Sequence, residues 1–141
     1  MATLPNDIHD QITKLCNEGD LLAGDNHYDE ARDKYVAAYK LLPEPKAQWD
    51  AATWIFTAIG DVRFKQGDYE KSYKAFSFAI QCPSGLGNPF IHLRLGQLHF
   101  EFEHEEKALD ELMRAYMGAG KEIFDEDNPK YFAFLANHVE L

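Results

Sequence analysis

A chain of 141 residues with 45% hydrophobic and 27% charged residues can build one hydrophobic core, and no apolar run approaches the roughly 20 residues of a membrane span. Its 24 acidic and 14 basic residues leave a net charge of −10, which argues against phosphate-backbone binding, because nucleic-acid binders cluster Lys and Arg. The opening "MATLPNDIHD" has neither a basic start nor an apolar run, so no secretory leader is expected and the chain reads as cytoplasmic. Cys16 and Cys82 lie far apart in no metal-type pair, and read as buried free thiols.

Taken in chain order, apolar periodicity and breakers predict helices near residues 6–24, 28–42, 46–66, 69–82, 89–103 and 105–118, with a last one near 129–138. The turns between them are marked by "GDNH", "LPEP", "QGD" and "CPSGLGNP", rich in residues that stop a helix or permit unusual backbone angles. Reading "PKAQWDAATWIF" as helix makes the third one about 22 residues, or roughly 33 Å, long and places Trp49 and Phe56 on one packing face. Asn128 before Pro129 supplies a cap and then a fixed φ, so "NPKYFAFLANHVEL" should start a helix there. Its apolar positions Tyr131, Phe132, Leu135 and Val139 should pack on the element before it.

An internal repeat organises these helices. "NEGDLLAGDNHYDEARDKYVAAYKLLP", "TAIGDVRFKQGDYEKSYKAFSFAIQCP" and "LRLGQLHFEFEHEEKALDELMRAYMGA" align on Gly19, Gly60 and Gly96, at spacings of 41 and 36 residues. The small residues Ala31, Ser72 and Ala108 then coincide, as do the larger Tyr35, Phe76 and Leu112, and after them Ala38, Ala79 and Ala115. Periods of that size with two helices per unit belong to helical solenoids. The small residues fit a close crossing of two helices, where a leucine in place of Ala31 or Ala108 would overpack the contact by on the order of 1–3 kcal/mol.

With "KQGDYEKSYKAF" in the second unit and Pro43 ending the first, the chain resembles the tetratricopeptide repeat, a helix-turn-helix unit of about 34 residues. The resemblance covers residues 13 to 120 and departs from the pattern at Ser72, at Glu105 and at the ending "GAG". It implies an all-α solenoid of three helix pairs within one domain, 1–141, with units near 6–43, 46–84 and 89–120 and residues 129–138 capping the last repeat. In that family the first helices of successive units line a concave groove. The positions expected to face it are Thr13, Cys16, Asn17 and Asp20, then Trp54, Thr57, Ala58, Asp61 and Lys65, then Phe90, Leu93, Arg94, Gln97 and Glu101.

The family's use of a Lys, Asn and Arg clamp for acidic chaperone tails does not carry over, because its slots hold Cys16, Asp20, Ala58 and Phe90, and only Arg94 matches. Asp20, Asp61 and Glu101 with the aromatics Trp54 and Phe90 favour instead a protein with basic and apolar surface. Asp20, Trp54, Asp61, Phe90, Arg94, Gln97 and Glu101 are therefore the candidate partner-binding residues. A second candidate is the acidic segment 101–127, with ten Asp and Glu against three Lys and Arg, which also reads as a solvated face. No nucleophile elbow, phosphate-cradling loop or HExxH is present. His92 and His99 stand seven apart, roughly 10 Å along a helix, too far to share one ion unaided. A non-enzymatic protein-binding module without metal or cofactor is the expected function. Charge and the "NPKYFAFL" tail also resemble small bacterial immunity proteins that neutralise toxin domains; an adaptor or secretion chaperone and a structural homo-oligomer are the alternatives.

Overall fold

The computed structural model describes residues 3–141. The elements are α1 (Asn6–Gly24), α2 (Tyr28–Lys40), α3 (Asp50–Lys65), α4 (Tyr69–Ala79), α5 (Pro89–Glu101), α6 (Glu105–Ala119) and α7 (Lys130–His138), with 3-10 turns at Lys46–Gln48 and Lys121–Phe124. Every regular element among the described residues is helical, so the molecule is all-α. Its contacts divide it into two compact units, Met1–Pro83 and Ser84–Leu141.

In the first unit α1 packs on α2, α2 on α3 and α3 on α4. The glycine spacing explains the crossings. A Cβ on Gly19 would lie 2.7 Å from the Tyr35 ring, and one on Gly60 would lie 2.6 Å from the Phe76 ring. Such distances are well inside van der Waals contact, so glycine is what lets each ring seat on the helix opposite. Ala31, Ala38, Ser72 and Ala79 beside these rings are wholly buried. Ser72 is tolerated in an alanine slot because its hydroxyl donates to the Gly60 carbonyl at 2.8 Å. Ile12, Leu42, Ile55 and Val62 complete this core, with Tyr39, Phe56 and Phe78 as an aromatic cluster at its side.

The expected helix 46–66 is shorter than predicted. Trp49 is extended, with φ −91° and ψ 143°, and α3 begins only at Asp50. Side-chain bonds to the preceding turn favour the break: the Trp49 indole N–H donates to the Pro43 carbonyl at 2.8 Å, and Lys46 Nζ donates to the Leu42 carbonyl. An acidic residue in the first turn of α3 suits the helix dipole. Trp49 and Phe56 thus share no helical face. Both are partly buried against the core, but Phe56 pairs with Tyr39, 4.9 Å between ring centroids, and with Phe78 at 4.5 Å.

The second unit repeats the crossing once. Gly96 of α5 faces Leu112 of α6, where a Cβ would come within 2.7 Å of the leucine side chain, and Ala108 and Ala115 are wholly buried. Asn88 caps α5, accepting from the Phe90 and Ile91 backbone N–H groups at 3.0 and 3.4 Å, with Pro89 following in the first turn. Asn128 repeats this before α7, accepting from the Lys130 N–H at 3.0 Å. Tyr131 and Leu135 of α7 are buried, and Phe100 of α5 meets the rings of Tyr131 and Phe134 at 5.4 and 5.0 Å. The terminal helix therefore covers this repeat, as its apolar face implies. The turn at Lys121–Phe124, unforeseen in the sequence, adds the buried Phe124, which meets Phe132 edge-on with ring centroids 5.2 Å apart.

Candidate functional site

The seven candidate residues fall into two groups with different surroundings. Asp20, Trp54 and Asp61 belong to the first unit. Asp20 sits one position past Gly19, so the Tyr35 ring seated on that glycine brings its hydroxyl to the Asp20 carboxylate, donating at 2.6 Å. Burial pushes the Tyr35 phenol pKa well above its ordinary value, and the hydrogen bond to Asp20 and the charges of Asp20, Cys16 and Asp61 push the same way. The Cys16 thiol is likewise raised to about 11, mainly by burial and then by Asp20. A neutral phenol and a neutral thiol thus lie beneath two carboxylates. Asp61 forms an ion pair with Lys65 one turn on, at 3.2 Å.

Trp54 is the outlying member: it is 39% exposed, and among the described residues no ring stacks on it. With Thr57 and Asp61 it follows an i, i+3, i+7 spacing along one face of α3. Thr57 is occupied locally, its hydroxyl donating to the Thr53 carbonyl at 2.7 Å. Trp54 also lines a cleft of ≈ 410 Å³ shared with Leu4, Asn6, His9, Trp49 and Asp50. Thr13, Asn17, Ala58 and Lys65 are half-buried or exposed, whereas Cys16 is buried.

In the second unit the corresponding face of α5 is covered. Leu93, Arg94 and Gln97 are 1%, 5% and 0% exposed, so the expectation that they face an open groove is corrected. Asp127 reaches back to them from the segment before α7: Arg94 Nη1 donates to its Oδ1 at 3.0 Å and Gln97 Nε2 to its Oδ2 at 2.9 Å. Arg94 also donates to Gln97 Oε1 at 2.7 Å and lies 4.8 Å over the half-buried Phe90 ring. Glu101 accepts the Tyr131 hydroxyl at 2.8 Å and pairs with Lys130. All four residues are engaged within the unit. A buried guanidinium must be paired to avoid a large desolvation cost, and an acid thirty-three residues away supplies the pair. Asp127 was legible only as part of an acidic run, since nothing in "DEDNP" marks which carboxylate turns inward.

The acidic segment is similarly divided. Glu111 accepts from His92 Nδ1 at 2.6 Å, while His92 Nε2 accepts the Gly87 backbone N–H at 2.9 Å, which fixes the proton on Nδ1. Asp110 pairs with Arg114. Glu103, Glu105, Glu106, Glu122, Asp125 and Glu126 remain exposed. The histidines do not converge: His92 faces Glu111, and His99 Nδ1 lies 3.3 Å from His104 Nδ1. Burial holds the His99 pKa below its usual value, assisted by His104 and Lys107. Among the described residues no group of three or more His, Cys, Asp or Glu is placed to hold a metal ion. Among the same residues no helix is long and apolar enough to cross a membrane.

No family model and no curated protein matches the chain. Solved structures do. The C-terminal TPR-containing domain of a Plasmodium falciparum FK506-binding protein superposes with a TM-score of 0.72 at 16% identity, over 96% of this chain and 90% of that one. The Yersinia enterocolitica type III secretion chaperone SycD, in complex with a peptide of the translocator YopD, gives 0.70 at 17% identity over 91% and 92%. The Arabidopsis OM64 TPR domain gives 0.71 at 12% identity over 94% and 99%. The glycine, alanine and aromatic positions that close each helix pair, and these superpositions, together identify the fold of the chain as that of tetratricopeptide-repeat domains.

Proposed function

We propose that the chain is a non-enzymatic protein-binding module whose contact surface lies in the first unit, anchored by Trp54 and bordered by Asp20 and Asp61. The observation that carries this reading is the exposed Trp54 indole on a helix whose other aromatics are packed. Tryptophan is enriched among the residues that dominate binding energy at interfaces. Asp61, two turns along the same face of α3, and Asp20 of α1 supply negative charge to the same unit, suited to a partner with basic and apolar surface. Phe90, Arg94, Gln97 and Glu101 are assigned instead to holding the second unit together. A cytoplasmic setting belongs to the same proposal, supported by two buried, unpaired thiols.

The peptide-bound SycD structure favours a second reading, a chaperone that holds an extended segment. The immunity-protein reading draws only on acidic charge and the tail sequence. A purified partner separates these: a folded domain supports blocking, an unfolded segment supports holding. In either case Trp54→Ala should weaken binding by about 2 kcal/mol or more by calorimetry, with helicity unchanged. Asp20→Asn with Asp61→Asn should mainly slow association and flatten its salt dependence. A partner indifferent to all three changes moves the site to the exposed acids of segment 101–127.

A further inference from the structure

The cleft beside Trp54 has a composition of its own. The chain contains two tryptophans, and both line it. Trp49 is held in place by its indole hydrogen bond to Pro43, while Trp54 stands on α3 with its ring exposed. Asp50 opens that helix and precedes Trp54 by four residues, one turn along the same face. Its carboxylate is exposed and, beyond its interaction with the α3 dipole, has no ion-pair or hydrogen-bond partner among the described residues. Among the described residues no lysine or arginine lines the cleft; its remaining wall is Thr3, Leu4, Asn6, His9 and Ala51.

We infer that this cleft takes an arginine side chain of the partner protein. Both indoles line the cleft, aromatic rings attract cations, and a carboxylate between them in sequence offers the countercharge. A guanidinium suits that pair better than an ammonium. It is planar, stacks on aromatic faces, sheds water more readily and can present two N–H groups to one carboxylate. Leu4, Ala51 and the tryptophan rings accommodate the methylene stem. The cleft volume of ≈ 410 Å³ exceeds one side chain and leaves room for flanking residues, which points to a segment of protein. This assignment rests on the protein-binding reading and adds the chemistry of the residue recognised.

Because both tryptophans line the cleft, the intrinsic fluorescence of the whole chain reports its occupancy. The probes are the capped tripeptide Leu-Arg-Leu, the same peptide with lysine, and the same peptide with citrulline, the neutral isostere of arginine, titrated at about 0.15 M salt to screen the net charge. The arginine peptide should give a saturable change in emission, with lysine weaker and citrulline weaker by roughly tenfold or more. Asp50→Asn should abolish the preference for arginine over citrulline, and Trp54→Leu should weaken both peptides, each with an unchanged circular dichroism spectrum. Absence of saturable binding overturns the assignment, as does equal binding of arginine and citrulline, or of arginine and lysine. Binding that survives both substitutions reflects net charge alone and overturns it too. A natural partner that depends on Trp54 but ignores Asp50→Asn would refute the arginine assignment while leaving the protein-binding reading intact.

Discussion

A methyl group at Gly96 would sit 2.7 Å from the Leu112 side chain and 2.9 Å from its backbone nitrogen, so α5 and α6 would have to separate. At Gly24 a Cβ meets nothing within 4 Å, and the residue is exposed at the end of α1. The same substitution should therefore have opposite signs at the two positions. Gly96→Ala is expected to cost about 1–3 kcal/mol, as overpacking does, whereas Gly24→Ala should gain a few tenths up to about 1 kcal/mol from helix propensity. Urea unfolding of the two variants beside the parent checks both. The contrast was legible in the sequence, since Gly96 aligns with Gly19 and Gly60 while Gly24 has no counterpart. Arg94 and Gln97 were not legible in the same way: helical spacing places them on a face, but whether that face meets water depends on a carboxylate thirty residues further on.

Among the elements, the turn inside each helix pair shows a second repeat. Asn26, Gly67 and Glu103 each stand seven residues after the aligned glycine and have φ of 64°, 79° and 62°. Glycine and asparagine adopt this left-handed region readily; glutamate does so at a cost of roughly 1–2 kcal/mol. Glu103 is exposed at the end of α5, so strain relief should exceed any lost contact. Glu103→Gly is expected to raise stability by about 1 kcal/mol and the melting temperature with it, measured by calorimetry; an unchanged or lower value would show that the glutamate is held by something other than the turn. The helix boundaries follow similar local chemistry. "NP" and "QGD" were sufficient to place α4, α5 and α7 within a few residues. The start of α3 was misplaced because Trp49 and Lys46 spend their donors on the carbonyls of Pro43 and Leu42, contacts that propensity does not encode.

For the whole molecule, the buried titratable groups define a pH window. Cys16 titrates at about 11 in the fold against 9.0 for a free thiol, and Tyr35, Tyr39 and Cys82 are raised as well. The folded state then holds its protons more tightly than the unfolded chain. The associated stability is complete below pH 9 and is lost as pH rises from 9 through 11. His99 acts in the opposite direction: its lowered pKa, set by burial and by His104 and Lys107, favours the neutral ring, so stability falls as pH drops below the ordinary histidine value of 6.5. Melting temperature plotted against pH should be flat near neutrality and decline on both sides. Cys16→Ala should soften the alkaline limb and His99→Gln the acidic one; a parent profile that stays flat above pH 9 would contradict the first assignment, and one that stays flat below pH 6.5 the second.

The sequence by itself determined the number of helices, their pairing and the residues at each crossing. Those properties depend on spacing along one helix and on side-chain size, which a repeat displays three times over. It also set the charge of the molecule and the apolar face of α7. Only the tertiary structure decided which polar residues meet water. Asp127 closes over Arg94 and Gln97, Glu101 is taken by Tyr131 and Lys130, and Trp54 is left exposed in a cleft with Trp49 and Asp50. The physical reason is that a buried cation or amide must find its partner wherever the fold brings one, and the chain distance to that partner carries no periodic signal.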